Sequence, residues 1–414
     1  MDYGKLNIHV VSDNSGFPIP DATVQITSEN EPESIIEEAV TNNVGQLNDI
    51  ELTAPPVDYS MTPSANKPYS EYTITISAFG FESVEINGAE IFSGETAIQN
   101  ASLLPLATGE TDSAELFVIP DHTLWGDYPP KIPESEIKTV EGTGEIVLSR
   151  VVIPEYVIVH DGPPSDSSAN DYYVRYRDYI KNVAACEIYS TWPRATLEAN
   201  ILAIMSFTLN RVYTEWYRNK GLNFTITSST AYDHKFINNR NLFDTINVVV
   251  DNIFNTFIKR PPTARQPLLA QYCDGKKSQC PNQMTQWGSK DLGDQGMDYE
   301  SILRYFYGDE IVFEEAPVVS GVPVSFPGDT LQVGSSGKYV KTIQHQLNAI
   351  SNSYPAIPKV KEDGVYGNST AEAVSTFQGI FGLPKTGVVD FKTWYEISRV
   401  YVAVTKIASL NPNI

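Results

Sequence analysis

Apolar and polar positions alternate with a period of two in three stretches near the start of the chain: Leu6 to Val11, Ala22 to Thr27 and Tyr72 to Ser77. Gly, Pro and Asn clusters such as Asp13-Asn14-Ser15-Gly16 separate them. This pattern predicts half-buried antiparallel strands, an all-β sandwich over residues 1–107. Over residues 108–148 the alternation lapses. The runs GETDSAE, DYPPKIPESE and EGTGE bring Gly, Pro and acids with few apolar positions, which predicts a linker.

Strand character returns at Val151–Ile153 and Tyr156–Val159. After Pro193 the apolar residues Leu197, Ile201, Leu202, Ile204, Met205, Phe207 and Leu209 cover nearly every face of a predicted helix. A helix apolar all round belongs in a domain centre, and proline suits its start because the missing N–H would have no partner there. The helix is expected to run toward Tyr217 and stop at Asn219-Lys220-Gly221. A second helical pattern, Ile246, Val249, Val250, Ile253, Phe254 and Phe257, ends at Pro261-Pro262. Residues 149–314 therefore read as a mixed α/β domain, 315–329 as a second linker and 330–414 as a helical domain. In that last domain Val340, Ile343, Leu347 and Ile350 mark one helix face, and Val374 and Phe377 another.

With 414 residues the chain is too long for one core, in keeping with several domains. Its net charge of −22 argues against a nucleic-acid partner, because phosphate binding needs basic surface. The opening MDYGKLNIHV has no basic flank before an apolar core, so no secretory signal is expected. No apolar run is long enough to span a membrane. Three cysteines make no disulfide framework. Cys273 and Cys280 would close a short loop if oxidised; two free thiols or one weak closure is the plainer expectation. Cys186 reads as a small buried side chain.

The candidate chemistry centres on Glu187, set beside Ile188, Tyr189 and Trp192 just before the apolar helix. A free glutamate ionises near pH 4.3. A carboxyl group in apolar surroundings stays protonated to higher pH, as a general acid requires. Over Ala184–Leu209, AACEIYSTWPRATLEANILAIMSFTL, residues Ala185, Glu187, Trp192, Pro193, Leu197 and Ala199 fit the pattern A-S-E-M-P-x-x-W-P-x-E-A-L-K-A-Q-A without a gap. That segment resembles the catalytic-glutamate region of the stage II sporulation protein D family, which are lytic transglycosylases of peptidoglycan. Met284-Thr285-Gln286-Trp287-Gly288-Ser289, then Gly296, Ile302-Leu303 and Tyr305-Phe306-Tyr307, resembles the same family's S-Q-x-G-A…G…I-L-x-x-Y-Y signature. Ala270-Gln271-Tyr272 matches the strand that carries a groove tyrosine.

Two further resemblances frame this one. Gly16 to Val24, with Ala78-Phe79-Gly80-Phe81, is similar to transthyretin-like modules. The C-terminal run resembles the three-helix peptidoglycan-binding domain. Its residues are Leu331 to Gly337, then Asp363-Gly364-Val365-Tyr366-Gly367, Phe377-Gln378, Thr386-Gly387 and Thr393-Trp394. Together the parts look like a spore cortex-lytic enzyme of the kind held as a zymogen. The implied fold class is multidomain: an N-terminal all-β transthyretin-like sandwich, a central mixed α/β catalytic domain and a C-terminal three-helix peptidoglycan-binding domain.

The resemblance implies Glu187 as catalytic residue, Tyr272, Gln286 and Trp192 as substrate-binding residues, and Asp363, Gly364, Tyr366, Gly367 and Gln378 in the wall-binding domain. It implies cortex glycan strands as partner, an activating protease cutting near residues 140–152, and a place in the cortex or coat–cortex region of the spore. No cofactor is expected. His234, Cys273 and Cys280 are too scattered to predict zinc. Glu198 and Met205 depart from the family's lysine and arginine and remove positive charge near the groove. Two alternatives stay open. One is a hydrolytic muramidase, which needs a second carboxylate such as Glu198, Asp233, Asp291 or Asp294. The other is a non-catalytic wall-binding protein.

Overall fold

A computed structural model describes residues 2–405 apart from 14–15, 30, 108–110, 122, 127, 137–150, 262–265, 281, 317, 321–323 and 325. The N-terminal alternation forms two facing sheets. One has the order Leu242–Phe243, Thr96–Leu103, Asp2–Ser12, Gln46–Ala54; the other has Glu31–Val40, Thr23–Ser28, Tyr69–Ser77, Val84–Phe92, Glu115–Val118. Leu6, Ile8, Val10, Val24, Ile26, Ile74 and Ile76 all point into the core and are fully buried. Each such side chain contributes roughly 1.5–3 kcal/mol of burial.

Two of these strands lie outside the expected sandwich boundaries. Glu115–Val118 comes from the stretch read as linker and pairs in parallel with Val84–Phe92. Leu242–Phe243 comes from the middle domain and pairs antiparallel with Thr96–Leu103. A buried ion pair reinforces that junction: Arg240 Nη2 meets Glu90 Oε2 at 2.6 Å, with both side chains at most 3% exposed. Asn241 adds a two-way amide contact with the Glu90 backbone, at 2.9 Å in each direction.

The middle domain is built around the helix Arg194–Tyr213, which buries sixteen of its residues. It ends at Tyr213, earlier than the expected approach to Tyr217; a short turn of 3-10 helix, Arg218–Lys220, follows, and Gly221 closes it with φ of 78°. The helix Asp244–Ile253 is also shorter than its pattern, because Phe257 sits in the strand Thr256–Lys259, paired with Val312–Glu315. Short apolar runs do not separate helix from strand by periodicity, and here strand pairing decides. Tyr156–His160 lies between Asp171–Arg175 and Ile226–Thr227 in a three-stranded sheet. The expected strand at Val151–Ile153 is reduced to one bridge, Ile153 to Val319.

The C-terminal domain has three helices, Lys338–Ile350, Asn368–Ile380 and Phe391–Thr405. It docks on the middle domain rather than hanging from a loose linker. Arg177 bridges Asp251 at 2.7 Å and Glu396 at 2.8 Å, while Phe254 packs against Phe391 and Tyr395. Among the described residues no helix is long and apolar enough to cross a membrane.

Glu90→Ala leaves the Arg240 guanidinium buried and unpaired. Breaking one side of such a pair costs about 3–5 kcal/mol. Thermal denaturation is expected to show a melting point several degrees lower. A melting point equal to wild type would mean that the junction does not depend on this pair.

Candidate active site

Glu187 is the last residue of the helix Tyr176–Glu187, an element not read from the sequence. That helix is buried along most of its length, with Tyr179, Ile180, Val183 and Ala184 at 0% exposure. Glu187 itself is 8% exposed. Its Oε1 accepts the Lys235 backbone N–H at 2.7 Å, and its Oε2 accepts Gln286 Nε2 at 3.0 Å. The same Gln286 nitrogen donates to the Glu187 carbonyl at 2.6 Å, which closes the helix end. The two residues singled out in separate motifs therefore meet.

Burial raises the Glu187 pKa above the usual carboxylate range; the Lys131 ammonium, the Lys235 N–H and the Gln286 amide pull in the opposite direction, and burial wins. The C-terminal end of a helix dipole also disfavours a negative charge at this position. Cys186, next in the chain, is buried and its thiol is pushed up, so it is no nucleophile.

Glu187 borders a cavity of about 450 Å³. One wall is the middle domain, with Gln271, Tyr272, Asp274, Gln283 and Gln286. The other wall comes from the stretch expected to be a linker: Leu124, Tyr128, Lys131 and Glu134 line it. The described residues of this strap between Leu124 and Glu134 are anchored at several points. Trp287 Nε1 donates to the Leu124 carbonyl at 3.0 Å, and the Leu124 N–H donates to Tyr189 Oη at 2.8 Å. The Ile132 N–H donates to the Ala231 carbonyl at 2.8 Å. Glu134 takes both terminal nitrogens of the buried Arg211 at 2.7 Å each. Lys131 donates to the carbonyls of Thr230 and Asp233 and lies 5.2 Å from the Tyr272 ring centre. Burial pulls the Lys131 pKa down. Nothing in the composition of the strap foretold this; its Pro and acid content is that of a linker.

Trp192 is not on the cavity wall. Its indole N–H donates to the Ser60 carbonyl at 2.9 Å, and the ring packs 5.0 Å from Trp287. It therefore ties the N-terminal domain to the middle one. The four acids considered as second carboxylates also lie elsewhere. Glu198 pairs with Arg194 and Asp294 with Lys290. Asp233 is fully buried with Arg211, Tyr217 and Thr227, and Asp291 is exposed on its helix. The acid that does face the cavity from the middle domain is Asp274, which sequence reasoning missed. It follows Cys273, which is joined to Cys280 by a disulfide, so these are not free thiols. His234 is buried and stacks on Tyr272; its ring stays neutral because burial lowers its pKa. Among the described residues no group of His, Cys, Asp and Glu is arranged to hold a metal.

In the C-terminal domain, Gln344 and Gln378 do equivalent work in two loops. Gln344 Oε1 accepts the Gly364 N–H at 2.8 Å and its amide donates toward Asp363, while Gln378 Oε1 accepts the Gly387 N–H at 2.9 Å. Tyr366 is 1% exposed and bonds the Gly387 carbonyl at 3.0 Å. Gly364 has φ of 72°, which favours glycine; Gly367 precedes the second helix. These residues shape the loops of the domain.

Residues 336–397 match the family described as "Putative peptidoglycan binding domain". No curated protein matches the chain. Among solved structures, the SleB N-terminal domain aligns at 32% identity over 19% of this chain and 99% of its own length, with a TM-score of 0.17. A 5-hydroxyisourate hydrolase of Klebsiella pneumoniae aligns at 18% identity over 25% of this chain and 92% of its own length, TM-score 0.18. The Bacillus anthracis TIE protein aligns at 14% identity over 25% of this chain and 17% of its own, TM-score 0.17. The chain is a multidomain protein with a C-terminal peptidoglycan-binding domain.

A carboxyl group whose pKa is raised by folding contributes stability at low pH that is lost as pH rises through the raised pKa. Glu187→Gln cannot ionise and escapes that loss. Its melting temperature relative to wild type should therefore climb between about pH 4 and pH 8. A difference flat across that range would contradict the raised pKa.

Proposed function

We propose that this chain is a lytic transglycosylase of spore-cortex peptidoglycan, made as a zymogen and opened during germination. The supporting observation is a buried carboxyl, Glu187, held by Gln286 at the edge of a sugar-sized cavity in a chain whose residues 336–397 match a peptidoglycan-binding domain. Glu187 gives its proton to the glycosidic oxygen between N-acetylmuramic acid and N-acetylglucosamine, and the C1–O bond breaks. The carboxylate then takes the proton of the muramoyl C6 hydroxyl while O6 bonds to C1. A 1,6-anhydro end forms, Glu187 regains its proton, and no water is consumed. One carboxyl suffices for this route. Tyr272 and Gln286 would bind the glycan beside it.

A second reading rests on Asp274. It shares the cavity with Glu187, and two carboxyl groups permit hydrolysis with water as nucleophile. Mass spectrometry of digested cortex separates the two, through anhydro-muramic ends or reducing ends. Glu187→Gln should lower release of either product by at least 100-fold, the scale of a lost general acid. Full activity in that variant would sink the assignment, and turbidity left intact by wild-type protein cut near residues 140–152 would leave only a wall-binding role.

The zymogen reading draws on the strap. In the intact chain it occupies one side of the cavity, and the Lys131 ammonium favours the ionised form of Glu187. The N-terminal domain, here read as transthyretin-like, carries the strap as a pro-region. The cleavage zone near residues 140–152 falls mostly outside the described residues. Protein cut in that zone should clear decoated spores at least ten times faster than intact protein, a gain in keeping with an uncovered site. Equal rates would remove the zymogen idea.

A further inference from the structure

Four buried polar atoms on the middle-domain wall of the cavity have no partner among the described residues: Gln271 Nε2, Tyr272 Oη, Asp274 Oδ2 and Gln283 Oε1. Gln271, Tyr272 and Asp274 are 7%, 3% and 5% exposed. Buried polar atoms are nearly always satisfied, so a cluster of unsatisfied ones on residues that line one cavity points to a ligand that supplies the partners.

The geometry narrows the ligand. Gln283 Nε2 donates to Gln271 Oε1 at 3.0 Å. This amide pair spends one N–H and one carbonyl on itself. It leaves an amide donor on Gln271 and an amide acceptor on Gln283. Exchanging O and N in both side chains keeps one donor and one acceptor free. An acetamido group carries the complementary set, one carbonyl oxygen and one N–H.

The loop that presents the pair is held in shape. The Cys273–Cys280 disulfide closes it. Asp274 Oδ1 accepts the backbone N–H groups of Lys276 and Ser278 at 2.9 and 2.8 Å. Gly275 has φ of 75° and would place a Cβ 2.4 Å from Thr285, so only glycine fits. Asp274 Oδ2 is left as an unpaired acceptor on a residue that lines the cavity.

We propose that Gln271 and Gln283 form an acetamido-recognition subsite that reads N-acetylation of the glycan next to Glu187. The proposal rests on the glycan-cleavage reading and deepens it. A sugar whose acetamido group is replaced by a free amine lacks the carbonyl and leaves the Gln271 donor unmatched. Discrimination built on unpaired buried groups is large compared with that of an apolar pocket.

The test uses full chain cut in the 140–150 zone and peptide-free glycan strands, either N-acetylated or chemically de-N-acetylated. Wild-type protein should cleave the N-acetylated strands with at least ~10-fold higher kcat/KM. In Gln283→Ala the preference should fall below ~3-fold, through a raised KM and a kcat within ~2-fold of wild type. Gln283 is partly exposed, so this variant is expected to fold. As a second measurement, the Glu187→Gln protein is titrated with both strands; it should bind the N-acetylated one more tightly, and the added change Gln283→Ala should erase the difference. A preference unchanged by Gln283→Ala in a protein that melts like wild type overturns the proposal. Failure of the glycan-cleavage reading shows separately, as no cleavage of either strand by the cut wild-type protein.

Discussion

The N-terminal sheet is completed by two residues of another domain, and much of the molecule follows from that junction. Leu242 and Phe243 pair with Ala97 and Ile98. One step earlier in the chain, Arg240 is buried against Glu90. A strand edge paired in this way leaves little freedom to slide, because a slip of one residue would turn Phe243 out of the core. The N-terminal domain is thereby seated at a fixed place on the middle domain. The strap that follows Val118 in the chain lines one wall of the cavity through Leu124, Tyr128, Lys131 and Glu134. Trp192 belongs to the same junction through its bond to Ser60.

This seating accounts for the electrostatics around Glu187. Burial and the helix end both favour the neutral acid, whereas Lys131 favours the carboxylate. The strap thus brings one opposing charge to a group that the middle domain otherwise keeps protonated. The loss of positive charge at Glu198 and Met205 looks different in this light. Glu198 pairs with Arg194 outside the cavity and Met205 is fully buried, so neither faces the groove. Lys131 from the strap and Lys235 are the cations that act on Glu187, whereas Arg211 is paired with Glu134 and Asp233.

Short-range features of this architecture were legible in the sequence. Period-two alternation marked strands at Leu6, Val24 and Ile74, and the apolar helix after Pro193 was plain. Glu187 and Gln286 were each marked by a motif, almost a hundred residues apart, but their contact appears only in the fold. What escaped depends on long-range contact. Glu115–Val118 is a strand only because Val84–Phe92 offers an edge. Phe257 is in a strand because Val312–Glu315 lies beside it. The strap has linker composition, and its order comes from partners such as Trp287, Ala231 and Arg211. Trp192 sits beside the candidate acid in sequence but faces away from the cavity, since the turn after Glu187 sends successive side chains in different directions. Asp274 carried no motif; only its place in a closed loop brings it to the wall.

The two domain junctions bear differently on the proposed activation. The C-terminal domain is joined through Arg177, Asp251 and Glu396, with Phe254 against Phe391; burial by itself would raise the Glu396 carboxyl, but the close guanidinium groups of Arg399 and Arg177 outweigh it and hold the carboxyl well below its usual range. A cut within residues 137–150 leaves that junction on one fragment, so the binding domain keeps its orientation to the cavity. The N-terminal junction, by contrast, would then join two separate chains. Its contacts are unchanged by the cut, but the tether that kept the partners at high effective concentration is gone. Association then depends on protein concentration, and at the dilution of a single wall-bound molecule the fragment carrying Lys131 has no reason to return. Cleavage and release are thus separate events, the first covalent and the second set by mass action.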